Sequence, residues 1–251
     1  MSIYILVLLF FTSMLGGAIN AVAGGGSFFT FPTLIFAGVP IIKANATSTV
    51  ALWPGSIAST VAYKKQLSIE KDVLIKFGLV SITGSIIGTW LLLCTPSDTL
   101  KLLLPYLLLV STLILFFKNK IAKSKLSKGI SSRFYLVLLL QFIIAIYGGY
   151  FGGGIGILML ATFNLMGFSN MVQMNALKTL LATMINGAAV IVFTVTSQVV
   201  WHIAIVMLIG GSIGGYFGAH IGKSISPVIL NRFVVITGFL LTVWFFFKAY
   251  Q

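Results

Sequence analysis

Acid is what this sequence has least of. Its 251 residues include three Asp and Glu against 16 Lys and Arg, and charged residues of every kind amount to 8%. Soluble domains carry about 25% charged residues, so this composition cannot cover a water-facing surface. The three acids, Glu70, Asp72 and Asp98, fall between apolar runs in segments read as loops. No intramembrane carboxylate is therefore expected as a proton relay, and no carboxylate pair for acid–base hydrolysis. Histidine is as scarce: His202 and His220 stand 18 apart, and with the single Cys94 they form no metal-binding pattern. One cysteine also excludes an internal disulfide. No protease or transferase signature occurs, so the chain does not read as an enzyme, and no cofactor or metal is implied.

What is present is apolar. Hydrophobic residues make up 59% of the chain. A helix that crosses a bilayer needs about 20 of them, which gives room for about eight to ten membrane segments and no separate extramembrane domain. The expected fold is an all-α, polytopic helical bundle embedded in membrane lipid. The net charge of +13 would suggest nucleic acid in a soluble protein. Here the cations sit in short gaps between apolar runs, as in cytoplasmic loops, and no nucleic-acid partner is expected. The apolar N-terminal stretch lacks a basic leader, so it reads as a first span and not as a cleaved signal. Nothing in the sequence excludes a homo-oligomer.

The largest interruption, residues 118–133, carries six cations and no acid and divides the chain into repeats at 1–117 and 134–251. The two can be superposed. Gly16-Gly17 and Gly24-Gly25-Gly26-Ser27 are echoed by Gly148-Gly149 and Gly152-Gly153-Gly154-Ile155-Gly156. Asn45-Ala46-x-x-Thr49 returns 130 residues on as Asn175-Ala176-x-x-Thr179, and Gly84-Ser85-Ile86-x-Gly88 returns 127 on as Gly211-Ser212-Ile213-x-Gly215. Three matches in one order indicate an internal duplication. With the basic linker inside, the Lys64–Lys76 gap is also inside and the Pro96 turn outside. In the second repeat the matching loops exchange charge: the 197–201 turn has none, whereas the next loop holds Lys223 and Arg232. That exchange is expected of inverted repeats, which need an odd number of crossings each. Five fit if each glycine run separates two short helices; four fit if it only breaks one long helix.

Three features could carry chemistry. The glycine runs come first, because packing helices closely needs one glycine per turn and not three in succession. A run unwinds the helix and bares N–H groups at the start of the next one, where anions bind. Gly24, Gly25, Gly26, Gly153 and Gly154 are candidates on that ground, with tight packing as the alternative. Gly211 and Gly215 instead fit small-residue packing. Second are two polar stripes: Asn45, Thr49, Leu52, Ser56 and Ser59, and the matching Asn175, Thr179, Ala182 and Asn186. They could bond helix to helix or replace the hydration shell of a small solute. Ser27, Thr47 and Ser48 add hydroxyls, and Pro54 should kink the first stripe. Third is Lys178, the one formal charge in residues 134–222. A charge at the bilayer centre costs about 2.5–3.5 kcal/mol even on insertion scales, so Lys178 either snorkels to the interface or faces a polar cavity and attracts an anion.

The run Gly24-Gly25-Gly26-Ser27, with Pro32, Gly38 and Ala44-Asn45-Ala46-Thr47-Ser48-Thr49, resembles the amino-terminal repeat of the sulfite exporter TauE/SafE family. Asn175-Ala176-x-Lys178, Asn186-Gly187 and Gly210-Gly211 through Gly222 are similar to its carboxy-terminal repeat. Ala161, where Pro32 has its match, departs from the repeat. The resemblance implies a permease of the bacterial cytoplasmic membrane for sulfite, an organosulfonate or a related small anion. Export by alternating access is the expected mode; a passive anion channel and a non-transporting membrane scaffold are the alternatives.

Overall fold

Among the described residues the chain forms ten α-helices, five before the basic linker and five after it. The computed structural model describes residues 2–22, 25–67, 69–122, 134–165, 170–221 and 227–250. The first five helices are α1 (Ile3–Val22), α2 (Ser27–Phe36), α3 (Ile41–Ala62), α4 (Lys71–Cys94) and α5 (Ser97–Ala122). The second five are α6 (Phe134–Tyr150), α7 (Ile155–Leu165), α8 (Met171–Val195), α9 (Trp201–Ile221) and α10 (Pro227–Tyr250). Five of them, α1, α4, α8, α9 and α10, contain stretches long and apolar enough to cross a membrane. α3 has 22 residues and α5 has 26; at 1.5 Å per residue both match a hydrocarbon core of about 30 Å.

Several expectations are refined by these boundaries. The glycine runs do separate helices, but only the second member of each pair is short: α2 has 10 residues and α7 has 11, whereas α1 has 20 and α6 has 17. α3 continues through Pro54. The expected linker begins later than residue 118, because α5 remains helical to Ala122; residues 123–133 lie outside the described ones. Two acids placed in loops belong to helices. Asp72 and Asp98 sit in the first turns of α4 and α5, where the helix dipole favours a carboxylate. They pair with Lys76 at 2.6 Å and Lys101 at 2.8 Å.

The helix packing maps onto itself when the repeats are exchanged. α1 packs on α9 as α6 packs on α4, and α3 packs on α9 as α8 packs on α4. α3 meets its equivalent α8, and α5 meets its equivalent α10. The last pair is antiparallel. Tyr106, near the start of α5, bonds through its hydroxyl to that of Tyr250 at the end of α10, 2.9 Å away. Farther along α5, Phe116 meets Phe239 in the middle of α10. Equivalent helices that run in opposite directions are the signature of an inverted repeat.

Small residues make these crossings close. A Cβ on Gly215 would lie 2.8 Å from the Cα of Gly55, and one on Gly84 would lie 2.9 Å from the Phe142 carbonyl oxygen. Gly17 and Gly211 approach backbone to backbone in the same manner. The expected packing role of Gly211 and Gly215 is met.

Candidate functional site

Where α3 and α8 cross, they leave a cavity of about 60 Å³. Its lining follows the duplication. Ser48 and Lys178, Thr49 and Thr179, Leu52 and Ala182, and Ser56 and Asn186 are all cavity residues, each pair 130 positions apart. The starts of the two short helices close on the same space, with Gly25 and Ser27 from the first repeat and Gly154, Ile155 and Gly156 from the second. At the crossing itself, the Trp53 indole N–H donates to the Thr183 carbonyl at 3.0 Å. These two residues are also 130 apart, so the local two-fold axis passes between them.

The glycine breaks are built from left-handed backbone. Gly25 has φ +98°, Gly152 +81° and Gly154 +74°, a region L side chains enter only at a cost. Just after them the chain turns into α2 and α7. The Phe28 and Phe29 N–H groups return to the Gly25 and Gly26 carbonyls, and the Ile157 N–H returns to Gly154. Ser27, Ile155 and Gly156, the first residues of the two helices, line the cavity, and the first N–H groups of a helix have no intrahelical partner. Both dipoles present their positive ends there.

Lys178 is 5% exposed, so it does not snorkel to the membrane interface. Gly156 is what makes room for it: a Cβ there would stand 3.2 Å from the Lys178 Cδ. None of the chain's three acids is a cavity residue. Hydroxyls and amides complete the wall. The Thr30 and Ser48 hydroxyls share a 2.6 Å bond, and Thr49 and Thr179 donate to the carbonyls of Asn45 and Asn175 four residues back, each at 2.9 Å. The Asn45 amide donates across the repeats to the Tyr150 carbonyl at 3.0 Å.

The residues singled out by sequence separate into two groups. Gly25, Ser27, Asn45, Ser48, Thr49, Gly154, Lys178, Thr179 and Asn186 converge on the cavity. Four others face elsewhere. Gly26 packs against the Gly16 backbone, and Gly153 offers its carbonyl to the Ser111 hydroxyl at 3.2 Å. Thr47 accepts the Val200 N–H at 3.1 Å, and Asn175 is half-buried away from the cavity. Gly24 lies outside the described residues. Sequence reasoning missed Asn20, whose amide donates to the Ser56 hydroxyl at 3.3 Å. Its signal was available: it is the only amide in residues 1–42. Phe151, Gly152, Ile155 and Gly156 also line the space.

Three relatives span nearly the whole chain. A "Probable membrane transporter protein ORF9" from Sinorhizobium is 26% identical, over 97% of this chain and 93% of its own length. A "Probable membrane transporter protein" of Haemophilus influenzae is 27% identical, over 95% and 93%. The "Probable membrane transporter protein YfcA" of Escherichia coli is 29% identical, over 92% and 86%. No solved structure is detectably similar. The model of one family, described as sulfite exporter TauE/SafE, matches residues 9–245; the chain belongs to that family.

Proposed function

We propose that this membrane transporter of the TauE/SafE family carries a small oxoanion or sulfonate, sulfite in its monoanionic hydrogensulfite form being the simplest example, out across a bacterial cytoplasmic membrane. One observation carries the reading. Among the described residues, the one formal charge lining the central cavity is the buried Lys178, set beside the starts of two helices and a wall of hydroxyls and amides. The ammonium and the two helix starts favour an anion, and the hydroxyls and amides make the rest of the wall polar. The size argues for a small solute. At roughly 10–15 Å³ per water in the same measure, 60 Å³ holds a handful of waters, or one compact oxoanion in their place.

The repeat geometry supplies a mechanism. The site straddles the Trp53–Thr183 crossing, where residues of both halves meet. Rocking one repeat against the other about that crossing would open the cavity to one side and then the other. Bonds that cross between the repeats, such as that from Asn45 to the Tyr150 carbonyl, would then break and re-form on each cycle. Export of a monoanion from a negative interior is driven by the potential itself. No titrating carboxylate is required for it, in keeping with a cavity that has none.

The test is counterflow in proteoliposomes preloaded with sulfite, sulfate, thiosulfate, sulfoacetate or lactate. Saturable exchange with sulfite, at a pH where hydrogensulfite is present, is the expected result. Flux that never saturates would make the protein a channel, and no flux of any of the five would leave only a scaffold role.

A further inference from the structure

A second concavity, about 470 Å³, lies at the rim of the molecule where the α2–α3 turn, the start of α5 and the end of α10 meet. Its floor is apolar, built from Ile35, Val39, Ile41, Leu104 and Phe245, and its mouth holds Asp98, Lys101 and Lys248. The side of the groove merges with bilayer-facing surface: Leu102 is 45% exposed, and Phe36 and Phe247 beside it are 54% and 66% exposed. The Lys248 ammonium stands 4.8 Å over the Trp244 ring, and Trp244 packs on Phe36 with ring centroids 4.4 Å apart. A Trp and a Lys at a helix end mark headgroup depth.

We propose that this groove binds one anionic phospholipid, with its phosphate at Lys248 and Lys101 and its chain on the apolar floor. The mouth has two cations and one carboxylate, and that carboxylate already engages Lys101 at 2.8 Å. The residual charge is positive. A free oxoanion would find the lysines but leave the apolar floor empty, and a soluble protein cannot approach through the bilayer-facing side. An anionic lipid meets both halves of the groove and arrives laterally. The site is independent of the central cavity, with which it shares no residue.

Native mass spectrometry of the full chain in mild detergent tests this, with phosphatidylglycerol and phosphatidylcholine of the same chain length as probes. One phosphatidylglycerol should be retained in preference to phosphatidylcholine. A lysine near an anionic lipid is worth roughly a fivefold factor, so Lys248→Ala should weaken retention about fivefold and Lys101→Ala/Lys248→Ala about thirtyfold. Both side chains are exposed, so unchanged melting should show that the variants are folded, and Lys248→Arg should retain the lipid. Equal retention of phosphatidylcholine, or undiminished retention by the double variant, would overturn the site. So would displacement by glycerol phosphate at the lipid's own concentration, since a bare headgroup makes no use of the floor.

Discussion

Lys178 concentrates the electrostatics of the cavity in one side chain, and it was legible because the surrounding 134–222 segment has no other formal charge. Its burial was not legible, because burial depends on Gly156 in a different helix leaving space for the lysine stem. Lys178→Met should fold, since it replaces a costly buried ammonium with an apolar chain of similar length. It should lose anion counterflow by at least tenfold, the cost of roughly one charge-assisted contact; unimpaired flux would remove the anion site. Gly156→Ala separates position from charge. The added methyl meets the flexible Lys178 Cδ at 3.2 Å, so the ammonium should shift while the fold adapts. The expected outcome is a several-fold higher KM at little changed maximal rate, with a stability cost below about 1.5 kcal/mol. Asn20 shows the opposite limit of reading by pattern. An isolated amide has no periodicity, and only the approach of α1 to Ser56 gives it a partner.

Among the elements, the glycine-started helices α2 and α7 decide the shape of the site. The two roles weighed for the glycine runs are both filled, by different members. Gly25, Gly152 and Gly154 take the left-handed turns, whereas Gly26 and Gly149 admit a neighbouring backbone. Composition cannot assign them, since both roles ask for a missing side chain and the choice rests on what lies opposite. Substitution can distinguish them. At Gly154 the nearest atom to an added Cβ is 3.6 Å away, an ordinary contact, so Gly154→Ala has backbone strain alone to overcome. That should lower stability by about 1–2 kcal/mol. At Gly149 the methyl would run into the Ser85 carbonyl of α4, and Gly149→Ala should cost upwards of about 3 kcal/mol or prevent assembly. Thermal melting in detergent ranks the two, and the reverse order would contradict this division of labour. Eight of the nine stripe residues line the cavity, because a 3–4 spacing survives folding, and Asn175 does not. Thr47, two positions from the nearest stripe residues, accepts instead from the Val200 N–H.

For the molecule as a whole, the duplication fixes more than either repeat does. The echo at offset 130 predicted equivalent helices, and the packing of α5 against an antiparallel α10 agrees with the inversion inferred from loop charge. Sidedness follows from the same rule: the Lys65 turn should face the cytoplasm and Ser197 the outside. With the exposed Cys94 replaced by Ser, a membrane-impermeant thiol reagent should label Lys65→Cys only in inverted vesicles and Ser197→Cys only in intact cells. Labelling of both from one side would refute inversion. The shortage of acids then has an energetic consequence at this scale. A carrier that moves one negative charge and no compensating proton gains about 2.3 kcal/mol per 100 mV, or roughly fiftyfold in the equilibrium ratio of anion across the membrane. Proteoliposomes clamped by a potassium gradient and valinomycin should show that ratio at zero pH gradient, and dissipating a pH gradient at fixed potential should not change it. A ratio indifferent to voltage would mean that a proton or cation accompanies the anion. With no carboxylate lining the cavity, such coupling would have to come from the hydroxyls, amides and Lys178, and the electrogenic reading would fall.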